Sequence, residues 1–246
     1  MTNGIGHQFM RKTQYKHMEQ PDQQKGLPQP PLELPYDVTQ RLIDLPAPDE
    51  LTLEPVNLRE LIEHRTTTRN YTDTPITLAE LSYLLWCTQG VKGVREAYAT
   101  LRTVPSAGAR HAFETLLLVN RVEGLEPGGY RFVASLHKLV KLDLGDNLTR
   151  RLAHACRNQE QVARSAATLF WVAVPYRMTF RYGARGFRYL HLDAGHVCQN
   201  LYLAAEAIGC GVCAIAAFDD EQLNAALELD GETQFVIYLA SLGKQG

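Results

Sequence analysis

Along residues 181–218, apolar side chains recur at three- and four-residue steps, with Val197, Leu201, Ala204, Ala205 and Ile208 forming one stripe. That is the period of an α-helix. The small residues Ala194, Gly195, Ala204 and Ala205 admit close backbone approach, so this helix is expected at the centre of the fold. Gly209 and Gly211 stop it, and an apolar, strand-like run follows over 212–218. A helix that is apolar on most sides has to be covered, so the rest of the chain is expected to wrap around it.

On either side the period changes repeatedly. A short amphipathic helix is predicted over 58–62. A second begins at Thr77, where Thr77 and Glu80 form a capping box and Leu78, Leu81, Leu84 and Leu85 supply the apolar stripe. It ends near Gly90, and a loop is expected from Val91 onward. A strand is predicted over 116–122, too apolar for an exposed edge. The turn in GLEPGGYRF leads to another strand ending near Ala134, with residues 139–142 as its pairing partner. Residues 147–165 read as one helix with a polar side. Residues 168–174 form a buried strand closed by Pro175, Asp219 caps a short helix, and a last buried strand covers 235–243. Helices and buried strands alternate without regular βαβ units, which points to an α+β sandwich of helices about a central sheet.

Residues 1–55 break this pattern. They are rich in Pro, Gln and charge, and cannot build a core of their own. They are expected as an N-terminal arm, loose or laid on the body or on a partner subunit, with 56–246 as the folded domain. The formal net charge of −2 gives no reason to expect nucleic acid or an acidic membrane surface as partner. No apolar run approaches the ~20 residues of a membrane span, and the N-terminal residues lack the apolar core of a signal peptide. Five cysteines, an odd number, fit a reducing cytoplasm better than a disulfide scaffold.

Four places could carry chemistry. Arg65 and Arg69 flank the hydroxyls of Thr66, Thr67 and Thr68, either as a phosphate cradle or as a solvated basic turn. PSAGARH, residues 105–111, has the small side chains that let a backbone approach a flat ligand, as plain loops also do. GCGVCA, residues 209–214, has the dinucleotide spacing in the wrong context, because a helix precedes it and a strand follows. Its Cys210 and Cys213 lie beyond a helix C-terminus, where a thiolate is disfavoured, and read as buried small hydrophobes. Arg181, Tyr182, Arg185 and Arg188 lead into the central helix. They are either surface cations paired with Asp193 or the surroundings of a substrate-facing acid/base group, Tyr182. His191 and His196 do not share a helix face, and nothing supports a metal centre.

Six stretches in order over about 58–244 resemble the nitroreductase-like flavoprotein superfamily. They are RTTTRNY, TLAELSYLLWCTQG, RTVPSAGARH, VEGLEPGGYRF, RYGARGFRYLHLDAGHVCQNLYLAAEAIGCG and YLASLGK. Within the superfamily the chain looks most like the SagB-type dehydrogenase branch, whose peptide-modifying members oxidise azolines to azoles. The resemblance implies a nitroreductase-like sandwich with a central mixed or antiparallel sheet, and FMN at the interface of an obligate homodimer. It places the phosphate grip on Arg65, Thr66, Thr67 and Arg69, with Lys244 after the last strand. It lays Ser106, Ala107 and Gly108 along the isoalloxazine ring from the other subunit. Ala214, Ile215, Ala216 and Ala217 fall beside the flavin N5 edge, where a backbone N–H tunes hydride affinity.

Azole-forming members carry Lys-Tyr where this chain has Arg181-Tyr182. An arginine cannot give up its proton as a lysine can. The expected proton acceptor is therefore Tyr182, with Arg181 holding a developing anion or a substrate carboxylate. The implied activity is FMN-dependent hydride transfer on a peptide-derived or small heterocyclic substrate. The alternatives are an NAD(P)H-dependent reductase of nitro or quinone compounds, and a flavin-binding scaffold partnering a peptide-modifying enzyme.

Overall fold

The computed structural model describes residues 4–37, 39–95 and 98–246. The first three residues of the predicted arm, Val38, Glu96 and Ala97 lie outside the described residues. In chain order the elements begin with α1 (Ile5–Lys12), a 3-10 turn (Tyr15–His17), β1 (Leu42–Asp44), α2 (Leu58–His64) and α3 (Leu78–Gln89). Next come β2 (Val91–Arg95), β3 (Ala99–Arg102), β4 (Phe113–Val119), β5 (Gly128–Val133) and β6 (Lys138–Leu142). Then follow α4 (Leu148–Ala155), α5 (Glu160–Arg164), β7 (Ala167–Ala173), α6 (Pro175–Tyr182) and α7 (Gly186–Glu206). The chain closes with β8 (Cys210–Ile215), α8 (Asp220–Ala226) and β9 (Phe235–Lys244).

Seven strands form one antiparallel sheet in the order β1-β6-β5-β4-β7-β9-β8. Side chains of a strand alternate between faces. On β7, Leu169, Trp171 and Ala173 enter the core shared with α3 and α7, whereas Phe170 and Val172 enter the core under α4 and α8. Both faces are thus covered, which is why β7 is buried along its whole length. The fold is the α+β sandwich expected from the alternating periods. The capping box of Thr77 and Glu80 opens α3 as expected, and β6 pairs with β5. Among the described residues no helix is long and apolar enough to cross a membrane.

Four local expectations are corrected. The loop after Val91 is a hairpin of β2 and β3, and its exposed Val94 and Leu101 hide the usual alternation. The single helix over 147–165 is two, because Arg157 and Asn158 both take positive φ (59° and 56°) between α4 and α5. Pro175 does close β7, but it also opens α6, where its fixed φ suits the first helical turn. Arg181 and Tyr182 therefore end α6 rather than start α7. The strand expected over 212–218 is β8, which starts at Cys210 and ends at Ile215.

The N-terminal arm is attached mostly through polar groups. Beyond Arg41 it adds β1 to the sheet edge on β6. Before that, Arg131 donates to the carbonyls of Pro35 (2.8 Å) and Leu34, and Arg177 donates to Pro31 O at 2.8 Å. Glu33 accepts from the Ala134 N–H at 2.6 Å. Glu114, 4% exposed, accepts from Arg177 (2.5 Å), Arg131 (3.0 Å) and the Leu34 N–H (2.8 Å). One buried carboxylate thus pairs with both guanidiniums that hold the arm.

Removing one partner of a buried ion pair leaves the others uncompensated. Glu114→Ala is expected to destabilise the protein by about 3–5 kcal/mol, read as a lower urea midpoint. Proteolysis within residues 20–36 should rise in parallel. A midpoint unchanged from wild type would show that the arm does not depend on this carboxylate.

Candidate functional site

Between α2 and α3, residues 65–72 form a ribbon that meets the open edge of β8 at Val212 and continues to the end of β9 at Lys244. Thr67 forms a parallel bridge with Val212, and the Thr68 N–H donates to Val212 O at 2.9 Å. The Thr72 N–H donates to Lys244 O at 3.0 Å. This close approach explains Gly211: a Cβ there would stand 2.5 Å from the Thr68 Cβ. The Arg65 guanidinium lies over the Tyr202 ring, 5.4 Å from its centroid. Tyr202 Oη shares a hydrogen bond with Thr67 Oγ1 (3.2 Å) and accepts from the Ala214 N–H (3.0 Å).

Thr66 and Arg69 are exposed, and the Arg69 guanidinium reaches the Cys213 thiol, whose pKa burial nevertheless raises. Among the described residues neither Arg65 nor Arg69 has a carboxylate partner. Lys244 differs: its ammonium is bound by Glu80 Oε1 at 2.5 Å and by Ile208 O at 3.0 Å. The N–H of Ala214 is already used by Tyr202. Ala216 and Ala217 are exposed, and their backbone N–H groups have no backbone acceptor among the described residues. Ile215 is buried at the end of β8.

A second group of residues gathers around the loop after Val104. Ser106 Oγ accepts from the His111 N–H at 2.9 Å and lies close enough to Asp193 to stabilise its carboxylate, so its hydroxyl faces groups of the protein. The Ala107 N–H donates to Asp193 Oδ1 at 3.3 Å. Asp193 does not pair with the nearby arginines as expected; α7 carries it inward, where it clamps this loop. Burial pushes its pKa up, against the pull of Ser106 and the Ala107 N–H, and its Oδ2 is buried without a hydrogen-bond partner. Gly108 takes φ +58°, and a Cβ there would meet Tyr182 Oη at 2.5 Å and Arg181 Nε at 3.0 Å. Arg181, Tyr182 and the backbone of Gly108 therefore meet at one point. The Tyr182 ring packs edge-on against Tyr189, with centroids 4.8 Å apart.

The ribbon cluster contains Arg65, Thr66, Thr67, Arg69 and Ala214, with Lys244 beside it. The loop cluster contains Ser106, Ala107, Gly108, Arg181 and Tyr182. Tyr202 and Asp193, their contacts on α7, are nine residues apart in sequence, about 14 Å along a helix axis. Among the described residues no hydrogen bond or ion pair joins the two clusters. Cys210 and Cys213 belong to opposite core faces of the sheet, so they do not face each other.

Sequence reasoning missed Tyr202 and the role of Asp193. The available signal was a polar group inside an otherwise apolar helix, because such a group needs a partner there.

The pattern of the nitroreductase family matches residues 62–244. A protein of Methanocaldococcus jannaschii that carries a nitroreductase name is 34% identical over 193 residues, covering 78% of this chain and 93% of the relative. A crystal structure from Anabaena variabilis, also carrying a nitroreductase name, superposes with a TM-score of 0.65 at 32% identity over 77% of this chain. The chain spans only 38% of that longer protein. The trifolitoxin-processing protein TfxB of Rhizobium leguminosarum bv. trifolii is 28% identical over 136 residues, 52% of this chain and 36% of TfxB.

The loop cluster also carries an acid-sensitive group. Burial first, then the charges of Arg102 and Arg110, push the His111 pKa down to about 3. The folded state keeps this imidazole neutral where the unfolded chain binds a proton. Stability is therefore lost as pH falls from about 6.5 towards 3, by at most about 1.4 kcal/mol per unit. His111→Asn, which tolerates the residue's positive φ of 43°, should flatten this slope in urea unfolding measured from pH 7 to 4.5. Equal slopes would show that His111 does not govern it.

Proposed function

We propose that this chain, which belongs to the nitroreductase family, is an FMN-dependent oxidoreductase that works as a homodimer. The carrying observation is the ribbon beside β8. Two guanidiniums without carboxylate partners, Arg65 and Arg69, flank hydroxyls at a sheet edge, as binding a phosphate dianion requires. Thr66 and Thr67 add hydroxyl donors. Lys244 is next to them but ion-paired with Glu80, so it would join the grip by sharing that carboxylate. When bound, FMN supplies a two-electron carrier that accepts or gives a hydride.

The chain's own residues would do the rest. The backbone N–H groups of Ala216 and Ala217, rather than that of Ala214, are free to bond a ring nitrogen. Ile215 ends the strand that aims them. The Ala107-Gly108 backbone would lie along a flat ring, with Ser106 spent on holding the loop's shape. The separation of the two clusters along α7 supports a site completed by two subunits, each lending its loop to the other. Tyr182 would move the proton that accompanies hydride transfer, while Arg181 would hold an anionic group of the substrate. The likeness to TfxB supports the SagB-type dehydrogenase reading, with a peptide-derived or small heterocyclic substrate. The nitroreductase names of the other relatives favour a second reading, NAD(P)H-dependent reduction of nitro or quinone compounds.

The purified protein should show a flavin absorption spectrum and release FMN on heating. Replacing both Arg65 and Arg69 with Ala should weaken FMN binding by about a hundredfold or more, since charge-assisted hydrogen bonds contribute ~1.5–3 kcal/mol each. A colourless protein that takes up no added FMN would overturn the assignment. Rapid bleaching of bound flavin by NAD(P)H would select the reductase reading.

Tyr182→Phe should leave FMN bound and reduce turnover by about 10²-fold or more. Full turnover in that variant would remove Tyr182 from the proton step.

A further inference from the structure

Residues 13–24 of the arm lie over the end of α6 and form one wall of a half-open pocket of about 580 Å³. Its walls include Tyr15, Gln20 and Gln24 from the arm, and Arg181, Tyr182 and Arg185 from the body. The arm is pinned on both sides of the opening. The Gln23 N–H donates to Phe180 O at 2.8 Å, Arg185 donates to Thr13 O at 2.8 Å, and Arg188 donates to Thr13 Oγ1 at 2.6 Å. Tyr15 Oη meets Tyr189 Oη at 3.0 Å, and Arg185 donates to the same Tyr189 hydroxyl at 2.8 Å. The arm is therefore a built wall rather than a strand lying loosely over a gap.

The charge inside the cavity is unbalanced. Arg181 and Arg185 face one carboxylate, that of Glu19. Arg185 is committed to Tyr189 and Thr13, whereas Arg181 has no carboxylate partner among the described residues. Arg110, close enough to feel Arg181, adds to the positive field. A guanidinium left unpaired beside a phenol, in a cavity walled by amides, suits a ligand with a carboxylate and further hydrogen-bonding groups.

We infer that the arm completes a binding site for a carboxylate-bearing ligand, in which Arg181 takes the carboxylate and Gln20 and Gln24 meet polar groups along the ligand. This rests on the reading of Tyr182 as the proton-transfer group, because it places the carboxylate next to that hydroxyl. The arm then selects the substrate. A free organic acid and the C-terminus of a peptide both supply this chemistry.

The test is calorimetric binding to the full-length protein, with flavin loaded and with flavin stripped. The probes are benzoate against benzamide, and an N-acetyl dipeptide acid against its C-terminal amide. At least one acid should bind about tenfold to a hundredfold more tightly than its amide. Arg181→Met should abolish that preference and Arg181→Lys should keep part of it, which covers the case in which the Met variant folds poorly. A peptide terminus as the source predicts that the dipeptide acid binds more tightly than benzoate, and that Gln20→Ala with Gln24→Ala weakens only the former. The reverse ranking identifies a free acid.

No binding by any probe, equal binding of acids and amides, or an acid preference that survives Arg181→Met would overturn the inference. The two readings fail separately. A protein without flavin that still prefers acids loses the flavin assignment alone, and a flavin-loaded protein indifferent to the carboxylate loses the arm site alone.

Discussion

The burial of α7 between the sheet and its surroundings sets the terms for the rest of the molecule. Leu190, Ala194, Val197, Leu201 and Ala205 of this helix lie in the core with β7 and α3. A helix in such a place can carry polar groups only where they are bonded, because an unbonded buried polar group costs several kcal/mol. Polar residues interrupt its buried face, and three of them hold neighbouring segments: Asn200 donates to Cys87 O on α3 at 2.9 Å, and two others act on the candidate site. Asp193 holds the loop containing Ser106 and Ala107. Tyr202 holds the junction of the ribbon and β8 through Thr67 and Ala214. One rigid helix therefore fixes the positions of two otherwise irregular segments, as a binding site built on loops needs.

The arm shows the complementary arrangement. It buries little apolar surface besides Leu45 and is attached through carbonyls and an N–H that the body's arginines and Glu114 satisfy, and through its own Glu33, which takes the Ala134 N–H. Such attachment depends on direction more than on area. It can hold a Pro-rich segment, which has few N–H groups of its own, without asking it to form regular structure.

Legibility in the sequence followed the range of the interactions. The stripe through Val197 and Leu201, the Thr77–Glu80 box and the buried run of β7 were all visible, because helical period, capping and continuous apolarity are local properties. The hairpin of β2 and β3 was not visible, since Val94 and Leu101 are exposed and the alternating pattern is absent. Nor was the break between α4 and α5, where Arg157 and Asn158 adopt a backbone conformation that neither residue type demands. In the candidate site, Arg65 and Arg69 stood out in the sequence through their chemistry, two cations flanking three hydroxyls. The tie from Lys244 to Glu80 spans 164 residues and leaves no local trace. Tyr202 showed only as a polar group in an apolar stripe; its partners, in two other segments, left no trace.

The sheet has two edges, and both are guarded by segments that look dispensable. At one end β1 supplies three residues from the arm. At the other, the ribbon with Arg65 and Arg69 takes the Val212 carbonyl through Thr68 and covers the middle of the β8 edge. An uncovered strand edge is a template for pairing with another chain. The cation-bearing ribbon therefore also shields the protein from edge-to-edge association. Any change that lifts it from β8 also bares a strand, so the proposed ligand grip and protection against association would be physically tied at this edge.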